Sequence, residues 1–336
     1  MKKHIKILSL FVAVIIFTLS ITACKPADSN KHEGTVSDLT IRVAGMTGPT
    51  GIGLVELKSS SETGKSLQKY QVSFYKEAGE IVPLLVKGEL DIAAVPANLA
   101  AIQFSKNNGF IQVIAINNLG VLSVLEKGDT IKSVSDLKGK VIYAPASGKG
   151  AVPEYALNYI LAQNGLDPTK DVTVEWKTEV TEIIAALKKT EGGIALLPQP
   201  AATNALNNVE GLREALNLND EWNALETDSK LVTGVIVVRT DFAKENPEAV
   251  ARFLAEYERS ARFANNSLED TAKLVAEYGI AAEAIALKAI PKCNITFIKG
   301  NEMKSVLSAY LKTLYDANPA SVGGSLPADG FYYVAE

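Results

Sequence analysis

EIVPLLVKGELDIAAVPANLAA, residues Glu80 to Ala101, decides the fold because its plan recurs at Glu182 to Thr203 as EIIAALKKTEGGIALLPQPAAT. The two stretches match without a gap at Glu, Ile, Leu, Lys, Glu, Ile, Ala, Pro and Ala. Each opens with apolar residues at helical spacing (Ile81, Leu84, Leu85; Ile183, Ile184, Leu187). Each then passes a short polar turn into a continuous apolar run, Ile92 to Val95 or Ile194 to Leu197, that stops at a proline. Helix, turn, buried strand and proline-marked loop make half of a βαβ unit, and uninterrupted apolar strands suit a parallel sheet covered on both faces.

Three blocks echo in the same order. Ile41, Ala44, Thr47 and Gly48 align with Val141, Ala144, Ser147 and Gly148, and Val72, Ser73 and Phe74 align with Val172, Thr173 and Val174. An ordered set of this kind predicts an α/β protein of two lobes built to one design. The first lobe is expected over residues 38–119 plus 236–336, and the second over 120–235. The crossings between them fall at Val121 to Leu125 and at Leu231 to Val238, two apolar β-branched runs. From Asp241 onward the pattern is helical.

The amino terminus carries Lys2, Lys3 and Lys6 ahead of an apolar stretch, Ile7 to Ile21, too short for a comfortable membrane span. Small residues follow and end at Cys24. The pattern resembles a bacterial lipobox and implies cleavage after residue 23, with a lipid on the Cys24 sulfur and new amino group. Residues 24–37 are nearly free of apolar side chains and read as a flexible tether.

Composition excludes several functions. Removing residues 1–23, which hold three lysines and no acid, takes the formal net charge from −4 to −7. A mildly acidic body without a basic run argues against nucleic acid. His4 and His32 both precede the folded body, so no histidine-dependent nucleophile system or His-based zinc site is available there. Cys293 lies in an apolar setting and reads as a packing residue, with no disulfide partner. No catalytic residue, metal site or cofactor is expected.

In open parallel sheets, ligands bind beyond the carboxyl ends of the strands. The loops there are the repeated ones. GMTGPTGIG (Gly45 to Gly53) and ASGKGAVPE (Ala146 to Glu154) let the backbone expose N–H groups at a helix start, a setting that attracts polar or negative groups. Thr47, Gly48, Thr50, Ser147, Gly148, Lys149 and Gly150 are the candidates in these loops. Neither loop has the spacing of a nucleotide-binding motif. Pro96 ends one third strand and is a candidate or a plain strand stop, while Asn98 just beyond it and Gln199 after the other third strand add amides that can donate and accept. Tyr75, Tyr143, Tyr155 and Trp222 could stack on a flat ligand, although such aromatics more often serve the core.

Three runs carry a family resemblance: GELDIA at 88–93, SVSDLKGKVI at 133–142 and TGVIVVRTDFAKENPEAVARFL at 233–254. With the lipobox and tether, the chain resembles the extracytoplasmic solute-binding lipoproteins of ABC importers, of the nitrate, sulfonate and taurine (NMT1/THI5-like) type, which also includes thiamine-pyrimidine binders. The resemblance implies a type II periplasmic-binding-protein fold, a Venus flytrap with a two-strand hinge. It further implies a monomer anchored outside the cytoplasm through Cys24, which hands a small solute to a permease and its ATPase. Family binding positions carry over to the candidates above and to Thr233. These loops contain no arginine, which disfavours a strongly charged ligand such as nitrate and leaves a weak organic acid, a sulfonate or a polar heterocycle. The alternatives are an enzyme on the same scaffold, of the menaquinone- or thiamine-pathway kind, and a ligand-sensing receptor subunit.

Overall fold

A computed structural model describes residues 37–225 and 227–334. The targeting segment, Cys24 and nearly all of the tether lie outside the described residues. The chain opens with β1 (Ser37–Met46), the one-turn α1 (Pro49–Ile52), α2 (Val55–Glu62), β2 (Gln68–Tyr75), α3 (Ala78–Val86), β3 (Ile92–Pro96), α4 (Ala97–Lys106) and β4 (Ile111–Leu119). It continues with β5 (Leu122–Lys127), β6 (Lys140–Pro145), α5 (Val152–Gln163), β7 (Val172–Lys177), α6 (Val180–Lys189), β8 (Ile194–Pro198), α7 (Ala201–Asn208), β9 (Leu212–Asn217) and α8 (Leu218–Asn223). It ends with β10 (Val232–Arg239), α9 (Thr240–Glu245), α10 (Pro247–Asn266), α11 (Leu268–Glu277), α12 (Glu283–Ala289), β11 (Ile295–Ile298) and α13 (Gly300–Ala317).

Two sheets result, in the orders β11-β4-β10-β3-β1-β2 and β7-β6-β8-β5-β9. The repeated plan is visible in both. In each, a parallel triplet (β2-β1-β3 or β7-β6-β8) is bounded by an antiparallel strand, β10 or β5. The chain leaves the first sheet after Leu119 and enters the second at Leu122; it leaves again after Asn217 and rejoins the first at Val232. Neither β5 nor β10 straddles the two sheets. The match of residues 72–74 to 172–174 is corrected by the structure. The strands end at Tyr75 and Lys177 and the next helices start at Ala78 and Val180, so the true counterparts lie two positions later, at 174–176. A slip of two keeps the same residues on the same face, which is why the apolar pattern conceals it.

Burial follows the repeat. Ile81 and Leu85 on α3, and Ile183, Ile184 and Leu187 on α6, are buried on their sheets, each contributing about 1.5–3 kcal/mol. The far face of the first sheet is closed by α10 and α11, whose Val250, Phe253, Tyr257 and Val275 meet Ile41, Val43 and Ile236. Trp222 is wholly buried. Its indole N–H donates to the Ser229 carbonyl, and its ring lies 4.6 Å from that of Tyr159 and 5.7 Å from that of Tyr310, joining α5, α8 and α13. Cys293 is fully buried, and burial pushes its thiol pKa up to about 12.

Two buried carboxylates staple the sheets. Asp91, in the GELDIA turn, accepts from the backbone N–H and Nε of Arg42, both at 2.9 Å, while its own N–H donates to the Arg42 carbonyl and its carbonyl accepts from the Arg239 N–H. It thereby ties β3 to β1 and β10. In the second sheet Glu126, fully buried at the end of β5, accepts from the N–H groups of Thr130 (2.9 Å) and Ile131 (3.1 Å) and pairs with Arg213 from β9 at 2.5 Å. Burial alone would raise its pKa; the hydrogen bonds and Arg213 outweigh burial and hold it below the usual carboxylate value. Because the folded-state pKa is depressed, this stabilisation is present above the ordinary carboxylate pKa and is lost as pH falls. Glu126→Gln is therefore expected to cost about 3 kcal/mol at neutral pH, with the gap to the parent closing below about pH 4. Urea unfolding across pH checks this, and a gap that does not change with pH contradicts it.

Candidate functional site

The carboxyl ends of β1, β2 and β3 and those of β6, β7 and β8 open into one cavity of about 710 Å³. Its walls are the loops that follow those strands. Met46 to Thr50 follow β1, Lys76 to Ala78 follow β2, and Pro96 and Asn98 follow β3. From the other side come Pro145, Ser147, Gly148 and Gly150 to Pro153 after β6, Val180 after β7, and Pro198 to Ala201 after β8. Val121, at the passage between the sheets, also lines it.

Ten of the eleven sequence candidates line this cavity: Thr47, Gly48, Thr50, Pro96, Asn98, Ser147, Gly148, Gly150, Gln199 and Thr233. Lys149 does not; it is exposed. Tyr75, Tyr143, Tyr155 and Trp222 are also absent from the lining. The cavity gains residues that the sequence did not point to. Lys76 and Glu77 precede α3, and Ile280, Ala281, Ala282 and Ile285 come from the turn into α12. That helix reaches the second sheet's half of the molecule, where Lys288 Nζ meets Asn207 at 2.8 Å.

Local structure explains how each residue is presented. Thr233 sits where β10 slips register against β4: Val232 faces Leu119 and Gly234 faces Asn118, so the intervening residue is an extra one. A bulge of this kind re-aims a side chain beside a site. The next residue must be glycine for a separate reason. A Cβ on Gly234 would stand 2.6 Å from both Asn117 Oδ1 and Thr50 Cγ2. Thr50 is in turn fixed through its carbonyl, which accepts from Asn117 Nδ2 at 3.2 Å. Gln199 is tied to the passage between sheets by its N–H, which donates to the Val121 carbonyl at 3.0 Å.

The glycine loops are less open to an anion than their sequence indicates. The N–H of Thr47 donates to the Tyr75 carbonyl and that of Gly48 to the Met46 carbonyl, both at 2.8 Å, and Pro49 has none to give. In the second loop the Gly150 N–H donates to Glu154 at 2.6 Å. A carboxylate of the protein thus already occupies the donor that a ligand anion would seek. The charged residues among those lining the cavity are Lys76 and Glu77, of opposite sign. Burial, then Glu80 and then Glu179 at the start of α6, push the Glu77 carboxyl above its usual pKa. The rest of the wall is largely apolar. Six prolines contribute to it, along with Leu99, Ile102 and the isoleucines of the α12 turn.

Hollows of about 640 and 670 Å³ occur elsewhere on the surface, beside Lys127 and Gly211 and beside Tyr159 and Thr313. Neither lies at the carboxyl ends of the parallel triplets. Among the described residues no group of three or more His, Cys, Asp or Glu is placed to hold a metal ion.

The profile of the NMT1/THI5 like family matches residues 71–269, more than half of the chain. The chain belongs to that family. A Brucella abortus (strain 2308) protein named only as a binding protein is 25% identical over 171 residues, covering 51% of this chain and 50% of that one. The chain thus spans about half the length of the curated relatives it matches. Among solved structures, an ABC transporter protein from Parabacteroides distasonis superposes with a TM-score of 0.73 at 22% identity, covering 89% of this chain and 100% of that one. The periplasmic aliphatic sulphonate binding protein SsuA from Escherichia coli superposes with a TM-score of 0.69 at 15% identity, covering 89% and 94%. The fold of this family member is that of the periplasmic binding proteins.

Gly234→Ala is expected to force Thr50 and Asn117 aside, destabilising the protein by about 1–3 kcal/mol and weakening its hold on any solute that copurifies with the parent. Urea unfolding with a parallel measurement of bound solute checks both effects. Unchanged stability would show that the two side chains yield freely.

Proposed function

We propose that this protein is the solute-binding component of an ABC importer, capturing a small organic solute in the cavity between its two sheets and delivering it to a membrane permease. One observation carries the reading: equivalent loops from both copies of a duplicated plan enclose a single cavity of about 710 Å³, a size suited to a small organic molecule. Membership of the NMT1/THI5 like family and the likeness to SsuA and to an ABC transporter protein support it. The two halves, residues 38–119 plus 236–336 and residues 120–235, save that Val232 to Val235 pair with the first sheet as part of β10, close on the solute about the two passages between the sheets. The eleven sequence candidates form the proposed binding set, ten of them on the cavity wall and Lys149 exposed between two lining glycines of the same loop.

Binding without chemistry is part of the proposal. The wall offers Lys76 and Glu77 as its charged side chains and no histidine or cysteine, which favours holding over turnover. The segment ending at Cys24 supports a lipid anchor on the extracytoplasmic face of the membrane. No helix among the described residues is long and apolar enough to cross a membrane.

Native mass spectrometry of protein purified from its source is expected to show one small molecule per chain, released at unchanged mass after prolonged incubation. Protein that carries no small molecule from its source and takes none up from the source's growth medium would sink the transport reading. Conversion of the released molecule would favour the enzyme alternative.

A further inference from the structure

Helix α12 and the turn after it carry polar groups that meet the other half of the molecule outside the cavity. One side of this segment is fixed in the first sheet's core: Ala286, Ile290 and Cys293 are wholly buried, in one cluster with Ile114 and Ile236. Asn118 Nδ2 donates to the Cys293 carbonyl at 3.0 Å, and the Leu119 N–H donates to the Asn294 carbonyl at 3.1 Å. The segment therefore belongs with the first half. Ile285, Lys288 and Lys292 follow one another at spacings of three and four, the intervals that keep side chains on one helix face. Ile285 lines the cavity, and the two lysines carry the same face onward beyond it.

Helix α7 is the matching element of the second half. Ala202 and Ala205 bury its inner side in a core shared with Leu125 and Leu197, while Ala201 and Asn204 line the cavity. Asn207, three residues on from Asn204, is exposed and accepts from Lys288 Nζ at 2.8 Å. The two helices thus leave the cavity wall side by side, with Ile285 and Asn204 on the wall and Lys288 and Asn207 three residues beyond. Further along the lysine face, Lys292 in the 3-10 turn Ile290–Lys292 pairs with Glu214 of β9 at 2.9 Å. Glu214 is held in place from its own half. Its other oxygen accepts from the Ser123 hydroxyl on β5 at 2.6 Å, and Ser123 is only 2% exposed. Fixing one partner beforehand lowers the side-chain entropy that an ion pair must overcome.

We propose that the seam between α12 and α7 is a clasp: the Lys292–Glu214 and Lys288–Asn207 pairs hold the two halves together beside the cavity, and solute enters or leaves when they part. Lys292 and Glu214 are then positioning residues, which act on solute through the wall that Ile285 and Asn204 carry. The inference rests on the cavity being the solute site and on closure of the halves, and it adds what biases that closure. None of the four paired residues lines the cavity, so the clasp works through protein groups alone and does not depend on which solute is bound. The ion pair is partly exposed, so added salt screens it and loosens the clasp.

The test follows the distance between the halves in the full folded chain stripped of bound solute, by double electron–electron resonance. Spin labels go on Gly79→Cys and Thr181→Cys, exposed positions in the first turns of α3 and α6, next to Ala78 and Val180 on opposite walls of the cavity. A Cβ at Gly79 meets no other atom, and a Cys24→Ser background with Cys293 buried leaves only the introduced thiols to label. The parent is expected to show a short-distance population that shrinks as salt is added. Lys292→Glu and Glu214→Lys are each expected to raise the ratio of long-distance to short-distance molecules about threefold to tenfold. The exchanged double variant should restore the parent ratio and Lys292→Arg should preserve it, with thermal unfolding midpoints near that of the parent throughout. Identical distance distributions in the parent and both single variants, or a shift that the exchange does not reverse, overturn the clasp and mark the seam as a permanent joint. Should Glu214→Lys fold poorly for want of the partner to Ser123, Lys292→Glu against Lys292→Arg decides alone. No solute enters the measurement, so failure of the clasp is distinguishable from failure of the solute-binding reading, which native mass spectrometry tests.

Discussion

Parallel strands constrain this molecule more than any other feature. They cannot be joined by a tight turn, so each connection must run back along the sheet, here through a helix, and the carboxyl ends of the triplet all emerge at one edge. With two such triplets in the chain, β2-β1-β3 and β7-β6-β8, loops of matching position line a single cavity. The antiparallel strands β10 and β5 then bound the triplets on the side where the chain passes between sheets. Asp91 and Glu126 hold this arrangement from within: the buried Asp91 carboxylate takes the backbone N–H and guanidinium of Arg42, and that of Glu126 takes two backbone N–H groups and Arg213.

The cavity is shaped by what it withholds. Glycine-rich loops at helix starts are suited to anions, yet here most of their N–H groups are engaged by the protein's own carbonyls and by Glu154. Prolines reduce the number of donors further. What remains is a largely apolar chamber, in which an unpaired charge is costly to bury and hydrogen-bond polarity adds further discrimination between ligands.

Much of this was legible in the sequence, because hydrophobic periodicity and turn chemistry report local structure. The repeat at Glu80 and Glu182 led to the triplets, and proline and glycine positions led to the loops. The slip of two residues in the β2 to β7 match was invisible, since alternation on a strand looks the same after an even shift. β9 and β11 were missed because LREALN carries charge at both its centre and its edge, and ITFI is too short to stand out. Lys149 was legible as a cation but its direction was not, because a left-handed glycine at Gly150 (φ +67°) and the 3-10 turn before it set where the loop points. Lys76, Glu77 and the Ile280 to Ile285 turn join the cavity only through tertiary folding. The last of these lies far along the chain in a stretch whose alanine-rich pattern says nothing of a cleft. Asn98 and Gln199 were recognisable as amides; that Asn98 is spent on the Ser321 carbonyl, 223 residues away, was not, because only the fold brings the two near.

The most direct measurement of the central claim is hydrogen–deuterium exchange of the stripped protein against the same protein loaded with its copurified solute. Protection concentrated in segments 46–50, 96–102, 145–153 and 198–204 is the predicted result. Protection centred instead on 155–169 and 313–318, with those loops unchanged, would contradict the account.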